Sequence, residues 1–249
     1  MRAVGLEFTE EVFVLKARVK FSKQGCMKFV GHLDMMRYFQ KAIRRANIDV
    51  AYSAGFSPHM IMSFAAPLGV GLTSDGEYFD IEVGVCFSSK EMLRRLNEVM
   101  VDNIEILSFR KIDEGKANNA MSIVAAADYT VTFRGDYRPA TDWETKLVEF
   151  FNQDSITILK KTKKGENIID IKPMIYALSC SNEIISMQLA AGSINHLKPE
   201  LVLEAFAQYM RTQLLDFALE VNRVEVYANE GTEEERRLIT LEAMGEEIA

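Results

Sequence analysis

The sequence contains few of the residues that build metal centres or disulfide frameworks. Its three cysteines, Cys26, Cys86 and Cys180, are far apart, whereas an iron–sulfur cluster needs closely spaced thiolates. An odd number of cysteines also argues against a disulfide framework and favours reduced thiols buried in the core. None of the three histidines has the HxH or HxxxH spacing of metal ligands. We therefore predict no metal site and no bound cofactor.

Long apolar runs are also missing. No stretch reaches the roughly 18 apolar residues that a membrane-spanning helix needs, so no membrane partner is expected. The N-terminal segment carries Glu7, Glu10 and Glu11 and does not have the basic start of a secretory signal, which predicts a cytoplasmic protein. With 249 residues, of which 48% are hydrophobic and 26% charged, the chain fits one large globular domain or two of common size.

Positive charge is concentrated near the start of the chain. The net charge is −7, yet residues 12–65 contain nine lysines and arginines against two acids, Asp34 and Asp49. Such a separation of charge indicates that the basic segment meets a polyanion. The other interpretation is a basic surface that is merely solvated.

The first half is predicted to have the element order β-α-β-β-α-β. Residues 12–21 alternate between apolar and polar side chains, which predicts a half-buried strand with Lys16, Arg18 and Lys20 on its polar face. After the first helix come two short strands, a helix and a fourth strand. Their predicted positions are residues 60–64, residues 78–83, a helix that starts at a capping box of Ser88 and Glu91, and residues 104–112.

The first helix is predicted over residues 32–47 and is amphipathic. Its apolar side carries Met36, Phe39, Ile43 and Ala46. Its opposite side carries four cations, which are Arg37, Lys41, Arg44 and Arg45. Together with the polar face of the first strand, these cations are expected to form one basic patch, whose natural ligand is RNA phosphate. An anionic surface on a partner protein and a merely solvated face are the alternatives.

The second half repeats the same order of elements. Its predicted strands are residues 127–133, 156–160, 184–190 and 221–227; its helices follow a capping box of Thr141 and Glu144 and begin again at Pro199. Residues 168–178 fit this plan poorly and predict an inserted strand or helix. Two successive βαββαβ units predict an α+β protein made of two tandem ferredoxin-like units with antiparallel sheets. The predicted units are residues 12–116 and 117–229, and a frayed acidic tail is expected over residues 230–249.

The loop of residues 52–59 has two interpretations. Gly55 permits unusual backbone dihedrals and Pro58 adds rigidity, so the loop can present Tyr52 and Phe56 as stacking faces for RNA. In the other interpretation, the loop is a tight connection with Phe56 in the core. His32 and His59 are candidates for catalysis, and structural hydrogen bonding is the alternative for both.

Several short segments resemble one known family. They are Lys28–Asp34, Arg44–Ala46, Tyr52–His59, Pro67–Gly71 and Glu77–Asp80. Together they resemble the radical-SAM-linked bacterial proteins of unknown function, which occur beside or fused to a radical-SAM protein. The resemblance covers about residues 15–85 and departs from the usual pattern at Gly31, Ser57 and Met60. It implies a radical-SAM protein as partner.

Three hypotheses about function follow. The first is a non-catalytic accessory protein of a radical-SAM enzyme that binds RNA, such as transfer or ribosomal RNA, through its basic face. The tandem plan is also similar, at the level of fold alone, to the RNA-processing endonucleases of CRISPR systems. That similarity gives the second hypothesis, a metal-independent endoribonuclease with His32 or His59 as general acid or base. The third is a protein-interaction adaptor without nucleic acid. The predicted RNA-binding residues are Lys16, Arg18, Lys20, Arg37, Lys41, Arg44, Arg45, Tyr52 and Phe56.

Overall fold

The computed structural model describes residues 14–113, 115, 119–139, 142–162 and 165–249. Three features of the sequence analysis lie outside these residues. They are Val12 and Phe13 of the predicted first strand, the predicted unit boundary near residue 117, and Thr141 of the second predicted capping box.

The described chain folds into five helices and eleven strands. The helices are α1 (His32–Arg45), α2 (Ser89–Asn97), α3 (Ala120–Ile123), α4 (Trp143–Phe151) and α5 (Pro199–Tyr209). The strands of the first half are β1 (Leu15–Lys23), β2 (Met62–Phe64), β3 (Thr73–Val83) and β4 (Ile104–Lys111). Those of the second half are β5 (Val124–Phe133), β6 (Thr157–Thr162), β7 (Gly165–Asp170), β8 (Ile175–Ser181), β9 (Ile184–Ala190), β10 (Leu219–Asn229) and β11 (Leu238–Thr240).

Nine of these strands form one sheet. Its order is β4-β1-β3-β10-β5-β9-β8, with β2 paired to β3 and β11 paired to β10. Neighbouring strands are antiparallel except β3 and β10, which run parallel. The remaining strands, β6 and β7, pair with each other as a hairpin. The protein is therefore a mixed α+β protein with a large, mostly antiparallel sheet.

The two halves of the chain are joined where β3 meets β10. Thr73 pairs with Asn222 and Ser74 with Arg223, and the Ser74 hydroxyl donates a hydrogen bond of 2.9 Å to the Arg223 carbonyl. The Arg223 guanidinium also forms a buried ion pair with Glu77, with Nε 2.7 Å from Oε1. The halves thus share one sheet, whereas the sequence analysis expected one sheet in each unit.

Two hydrophobic clusters form the core, one mainly in each half, and the second also includes Ala65 and Tyr78 of the first half. In the first, α1 packs on β1 and β3, and the Phe39 ring lies 4.7 Å from the Phe21 ring and 4.8 Å from the Phe79 ring. In the second, α4 and α5 meet through Phe150 and Phe206, whose rings are 5.5 Å apart. Among the helices of the described residues, none is long and apolar enough to cross a membrane.

The helices of the first half follow the predicted pattern closely. The buried residues of α1 are Met35, Phe39, Ala42 and Ile43, while Met36, predicted to be buried, is only partly covered. The helix α2 begins as predicted, because the Ser88 hydroxyl accepts a hydrogen bond of 3.4 Å from the Glu91 N–H. Both patterns depend on residues close in sequence, so local periodicity was enough to place them.

The second half departs from the predicted plan because the predicted strand 156–160 falls in β6, which pairs with β7 outside the large sheet. The poorly fitting residues 168–178 contain the end of β7 and the start of β8, and β8 takes the edge position beside β9. The Glu144 carboxylate accepts a hydrogen bond of 3.0 Å from the Glu183 N–H, and the predicted capping box itself lies partly outside the described residues because Thr141 does.

The C-terminal segment is packed, which corrects the prediction of a frayed acidic tail. Its strand β11 pairs with β10, and Leu241 is fully buried. Further along, Glu246 and Lys111 exchange two backbone hydrogen bonds of 2.8 Å, and the Ile248 N–H donates to the Ser89 hydroxyl at 2.9 Å. Apolar side chains and backbone pairing hold this segment against the first half despite its glutamates.

Candidate nucleic-acid interface

The outer side of α1 presents four cations to solvent. Arg37, Lys41, Arg44 and Arg45 are all exposed. Arg37 lies 3.1 Å from Asp34, but both side chains are exposed, so this ion pair is weak and a phosphate can compete with Asp34 for Arg37. Within the described residues, no acid forms an ion pair with Lys41, Arg44 or Arg45. The helix is therefore a rigid support for positive charge.

A hairpin follows α1 and carries the predicted aromatic residues. Its base is paired by the bridge of Tyr52 with Met60, and the Ser53 N–H donates a hydrogen bond of 2.8 Å to the His59 carbonyl. At its tip Gly55 has a φ of +111°, a conformation that favours glycine. Phe56 next to it is fully exposed. The interpretation in which Phe56 lies in the core is therefore wrong. Its exposed ring is able to stack on a base.

A hydrogen bond joins the helix to the hairpin. The Arg44 Nε lies 3.4 Å from the Tyr52 hydroxyl oxygen, to which it donates. Tyr52 is itself exposed. This contact places an aromatic side chain directly beside the cations of α1. We call the exposed residues Arg37, Lys41, Arg44, Arg45, Tyr52 and Phe56 the helix–hairpin surface.

The structure corrects the prediction that β1 extends this surface. Helix α1 packs against the apolar face of β1, where Ala17, Val19 and Phe21 are buried. The polar face, with Lys16, Arg18 and Lys20, therefore points to the other side of the sheet. A continuous patch between α1 and β1 is excluded by the alternation of side chains along a strand.

Two of the three cations predicted on the polar face of β1 are also neutralised. Arg18 is only 2% exposed and forms an ion pair with Asp80, with Nε 2.8 Å from Oδ1. The Lys20 Nζ lies 2.7 Å from a Glu225 oxygen and 3.3 Å from a Glu242 oxygen. Lys16 is half-buried. The acids on this face come from β3, from β10 and from the C-terminal segment, and all three are distant from β1 in sequence.

Burial and ion pairing on this face of the sheet shift the pKa values of its titratable side chains. Burial lowers the pKa of Lys20, but the hydrogen bond and attraction from Glu225 outweigh it, so the pKa is raised. Burial also raises the pKa of Tyr78, whose hydroxyl donates a hydrogen bond of 2.7 Å to Glu225, and the charge of Glu225 raises it further. These groups form a structural network and are not available to a phosphate ligand.

The two candidate catalytic histidines lie in different settings. His59 is exposed, and its Nδ1 is 2.8 Å from the Ser53 hydroxyl oxygen, which also accepts a hydrogen bond from the His59 N–H. His32 is half-buried, with its ring edge-on to Phe64 at 5.1 Å. In the described chain, neither imidazole has a hydrogen bond to a carboxylate. His59 belongs to the hairpin that carries Tyr52 and Phe56, whereas His32 does not.

Two exposed apolar residues, one before α1 and one on it, carry no sequence prediction above. Phe29 ends a short 3-10 helix, and Leu33 lies on the outer side of α1; both are exposed. Leu33 is eleven residues before Arg44, so it lies within roughly 20° of it around the helix at 100° per residue. A helical projection that included Leu33 would have shown an apolar residue among the cations.

The cysteines and acids show no metal centre in the part of the chain that is described. Cys26, predicted to be buried, is exposed, and Cys86 and Cys180 are half-buried. The described residues contain no group of three or more His, Cys, Asp or Glu side chains placed to hold a metal ion.

Comparison with known proteins gives a family but no activity. No curated protein matches the chain. A crystal structure of an unknown protein from Galdieria sulphuraria is similar at 10% identity and a TM-score of 0.27, over 84% of this chain and 97% of that one, and a likeness this low carries no argument. A family model described as "Uncharacterized protein conserved in bacteria (DUF2344)" matches residues 16–199, most of the chain. The chain therefore belongs to this uncharacterised bacterial family.

Proposed function

We propose that this protein binds single-stranded RNA through the helix–hairpin surface and serves as a non-catalytic accessory protein of a radical-SAM enzyme. The observation that carries the RNA part is the contact between Arg44 and Tyr52, 3.4 Å apart, which joins a cationic helix to an aromatic hairpin. Cations supply the attraction to phosphates, and exposed rings supply stacking faces for bases. A fully exposed ring such as Phe56 suits an unpaired base, because bases in a duplex already stack on each other.

The radical-SAM part rests on the resemblance of residues 15–85 alone. A family whose members stand beside or within radical-SAM proteins supplies a partner that does the chemistry. In this proposal, the present chain holds RNA while the partner supplies the metal cluster and the reaction. Copurification of the native protein, with its RNA and protein partners both identified, tests this part.

We further propose that each half is a ferredoxin-like unit. The order β4-β1-β3-β2 in the first half and β10-β5-β9-β8 in the second place corresponding strands in the same order. In the second half, the hairpin of β6 and β7 is then an insertion between α4 and β8. The sheet face of the first unit that carries Arg18 and Lys20 is covered, so RNA binding falls to the opposite, helical side.

Charge reversal on α1 tests the RNA proposal. Wild-type protein is titrated with a fluorescein-labelled, unstructured RNA at several salt concentrations. Each phosphate contact contributes roughly 0.7 to the slope of log affinity against log salt, so Lys41→Glu with Arg44→Glu is expected to flatten the slope by roughly 1 to 2. The matched control reverses two exposed lysines elsewhere, Lys90→Glu with Lys198→Glu.

The control shows whether a loss of RNA affinity comes from local contacts on α1 or from the change in the protein's net charge. Because both double variants change the net charge equally, an equal loss of affinity would show that only overall charge matters and would contradict the proposed surface. A wild type that binds no RNA would overturn the RNA proposal altogether.

A second candidate function is RNA cleavage. It is favoured by one observation, the position of His59 in the hairpin that carries Tyr52 and Phe56. An imidazole next to a bound base would be near the ribose and able to move a proton. Its test, with a matched variant of Ser53, is given in the Discussion.

A further inference from the structure

A groove lies at the end of the junction between β3 and β10. Because these strands run parallel from the pairs Thr73–Asn222 and Ser74–Arg223, the segments that lead into them come side by side. Leu72 from the first half and Val221 from the second both line the groove, together with residues 214–219. Its volume is about 410 Å³. The groove is therefore formed by residues of both halves, at the place where the two halves join.

Large apolar side chains surround this groove and remain exposed. Phe29 and Val70 stand on the side of the first half, and Leu215 and Phe217 on the side of the second. The first pair is held together by a hydrogen bond of 2.8 Å from the Gly71 N–H to the Lys28 carbonyl. Exposed apolar side chains from separate segments that converge on one groove are typical of a protein-binding site.

The backbone of Phe217 has a strained conformation, and the phenyl ring of this residue is exposed. This residue has a φ of +62°, in the left-handed region that a bulky side chain rarely adopts, and its side chain is 85% exposed. Strain of this kind persists where the surrounding structure imposes it, and it is concentrated at ligand-binding positions. The chain thus holds an aromatic ring in solvent at the edge of the groove.

The charges that line the groove are mostly negative. Glu200, Glu204 and Asp216 contribute three carboxylates, and Glu204 and Asp216 are exposed. The cation among the described lining residues is Arg134, which is engaged by the Leu219 carbonyl at 3.2 Å and by Glu220 at 3.6 Å. Carboxylates repel phosphates, so the groove is unsuited to RNA and is complementary to an apolar segment that carries positive charge.

We propose that this groove is the docking site for a basic amphipathic segment of a partner protein. Apolar side chains of the segment would fill the groove against Phe29, Val70 and Phe217, and its lysines or arginines would face Glu204 and Asp216. The inference rests on the accessory part of the proposed function, in which a protein partner exists. It does not depend on RNA binding, because the helix–hairpin surface uses other residues.

A peptide selection tests the groove with a defined probe. The immobilised protein is used to select binders from a library of random dodecapeptides displayed on phage, and no groove variant is used in the selection. Enriched peptides are expected to combine two or more large apolar residues with a net positive charge. Affinity of the best synthetic peptide is expected to fall at least about tenfold in Phe217→Asp and in Glu204→Lys. The matched control, Ile194→Asp, changes an exposed apolar residue outside the groove and is expected to bind as the wild type does.

The results distinguish a failure of the docking proposal from a failure of the RNA proposal. No enrichment, net negative peptides, or binding that survives both groove variants would overturn the docking site. Should Phe217→Asp fail to fold by circular dichroism, Glu204→Lys still decides the question, because it alters an exposed side chain. Labelled RNA is titrated with the same variants and is expected to bind unchanged. A wild type that binds no RNA would defeat the RNA proposal and leave the peptide result standing.

Discussion

Arg18 and Asp80 form a buried, two-point ion pair across the neighbouring strands β1 and β3. Nε lies 2.8 Å from Oδ1, and Nη2 lies 3.1 Å from Oδ2. The same Asp80 carboxylate accepts a hydrogen bond of 2.8 Å from the Ala120 N–H, at the start of α3. The pair therefore connects the first half of the sheet to the beginning of the second half.

Removal of one partner of this pair is expected to destabilise the protein strongly. Arg18→Met leaves the Asp80 carboxylate buried without its cation, which typically costs about 3–5 kcal/mol. Urea denaturation followed by circular dichroism measures this cost. The double variant Arg18→Met with Asp80→Leu is expected to recover part of it, since no charge is then left unpaired. A loss of less than about 1 kcal/mol in the single variant would contradict a buried pair.

Loss of the Phe56 ring is expected to weaken RNA binding without affecting stability. Phe56→Ala removes a fully exposed ring, so the free energy of unfolding should change little. If a base stacks on this ring, the affinity should fall by about 1–3 kcal/mol while the salt slope stays constant, because no phosphate contact is lost. Fluorescence titration at several salt concentrations measures both quantities. Tyr137→Ala, which removes an exposed ring from the second half, serves as control and should bind normally.

His59 and Ser53 provide a matched pair that separates structure from catalysis. Both His59→Ala and Ser53→Ala remove the hydrogen bond of 2.8 Å between Nδ1 and the hydroxyl. If His59 has a structural role, the two variants should lose similar stability, about 1 kcal/mol, and keep most of the RNA affinity. Incubation with labelled RNA in the presence of a chelator tests the alternative. Metal-independent cleavage that is lost in His59→Ala and kept in Ser53→Ala would establish catalysis and refute the accessory role.

Stability is expected to fall in alkaline solution, in part because of Tyr78. Burial raises the pKa of Tyr78 in the folded state, and Glu225 raises it further. Above about pH 10 the unfolded chain loses the phenol proton while the folded chain keeps it, so rising pH favours unfolding. One such group contributes up to about 1.4 kcal/mol per pH unit. Urea denaturation between pH 9 and 11 should therefore show a shallower decline in Tyr78→Phe. An unchanged slope would show that Tyr78 does not keep its proton in the folded state.

The amphipathic helix α1 is an example of an element that the sequence alone predicts. Its outward cations and buried Phe39 and Ile43 follow from a period of 3.6 residues, which is a local property of the chain. The alternation of β1 was equally readable, with Ala17 and Val19 buried as predicted. In both elements, the sequence was sufficient to assign side chains to faces.

Predictions from the sequence are wrong where a segment distant in sequence covers a face of the sheet. Lys20 looked like an exposed cation because polar residues on a strand usually face solvent, yet Glu225 and Glu242 pair with it from more than two hundred residues away. The acidic C-terminal segment looked frayed for a similar reason. Its order comes from the pairing of β11 with β10 and from the buried Leu241, neither of which has a local signal.

The sequence by itself determined the periodic elements, the separation of charge and the absence of closely spaced metal ligands. These features depend on residue identity and spacing within one element, where geometry is fixed by the backbone. Only the tertiary structure decided which cations are exposed and which are buried in ion pairs, and that the two halves share one sheet through β3 and β10. It also decided where the groove with Phe29 and Phe217 lies, because a parallel pairing between distant strands brings those segments together and no local pattern encodes that pairing.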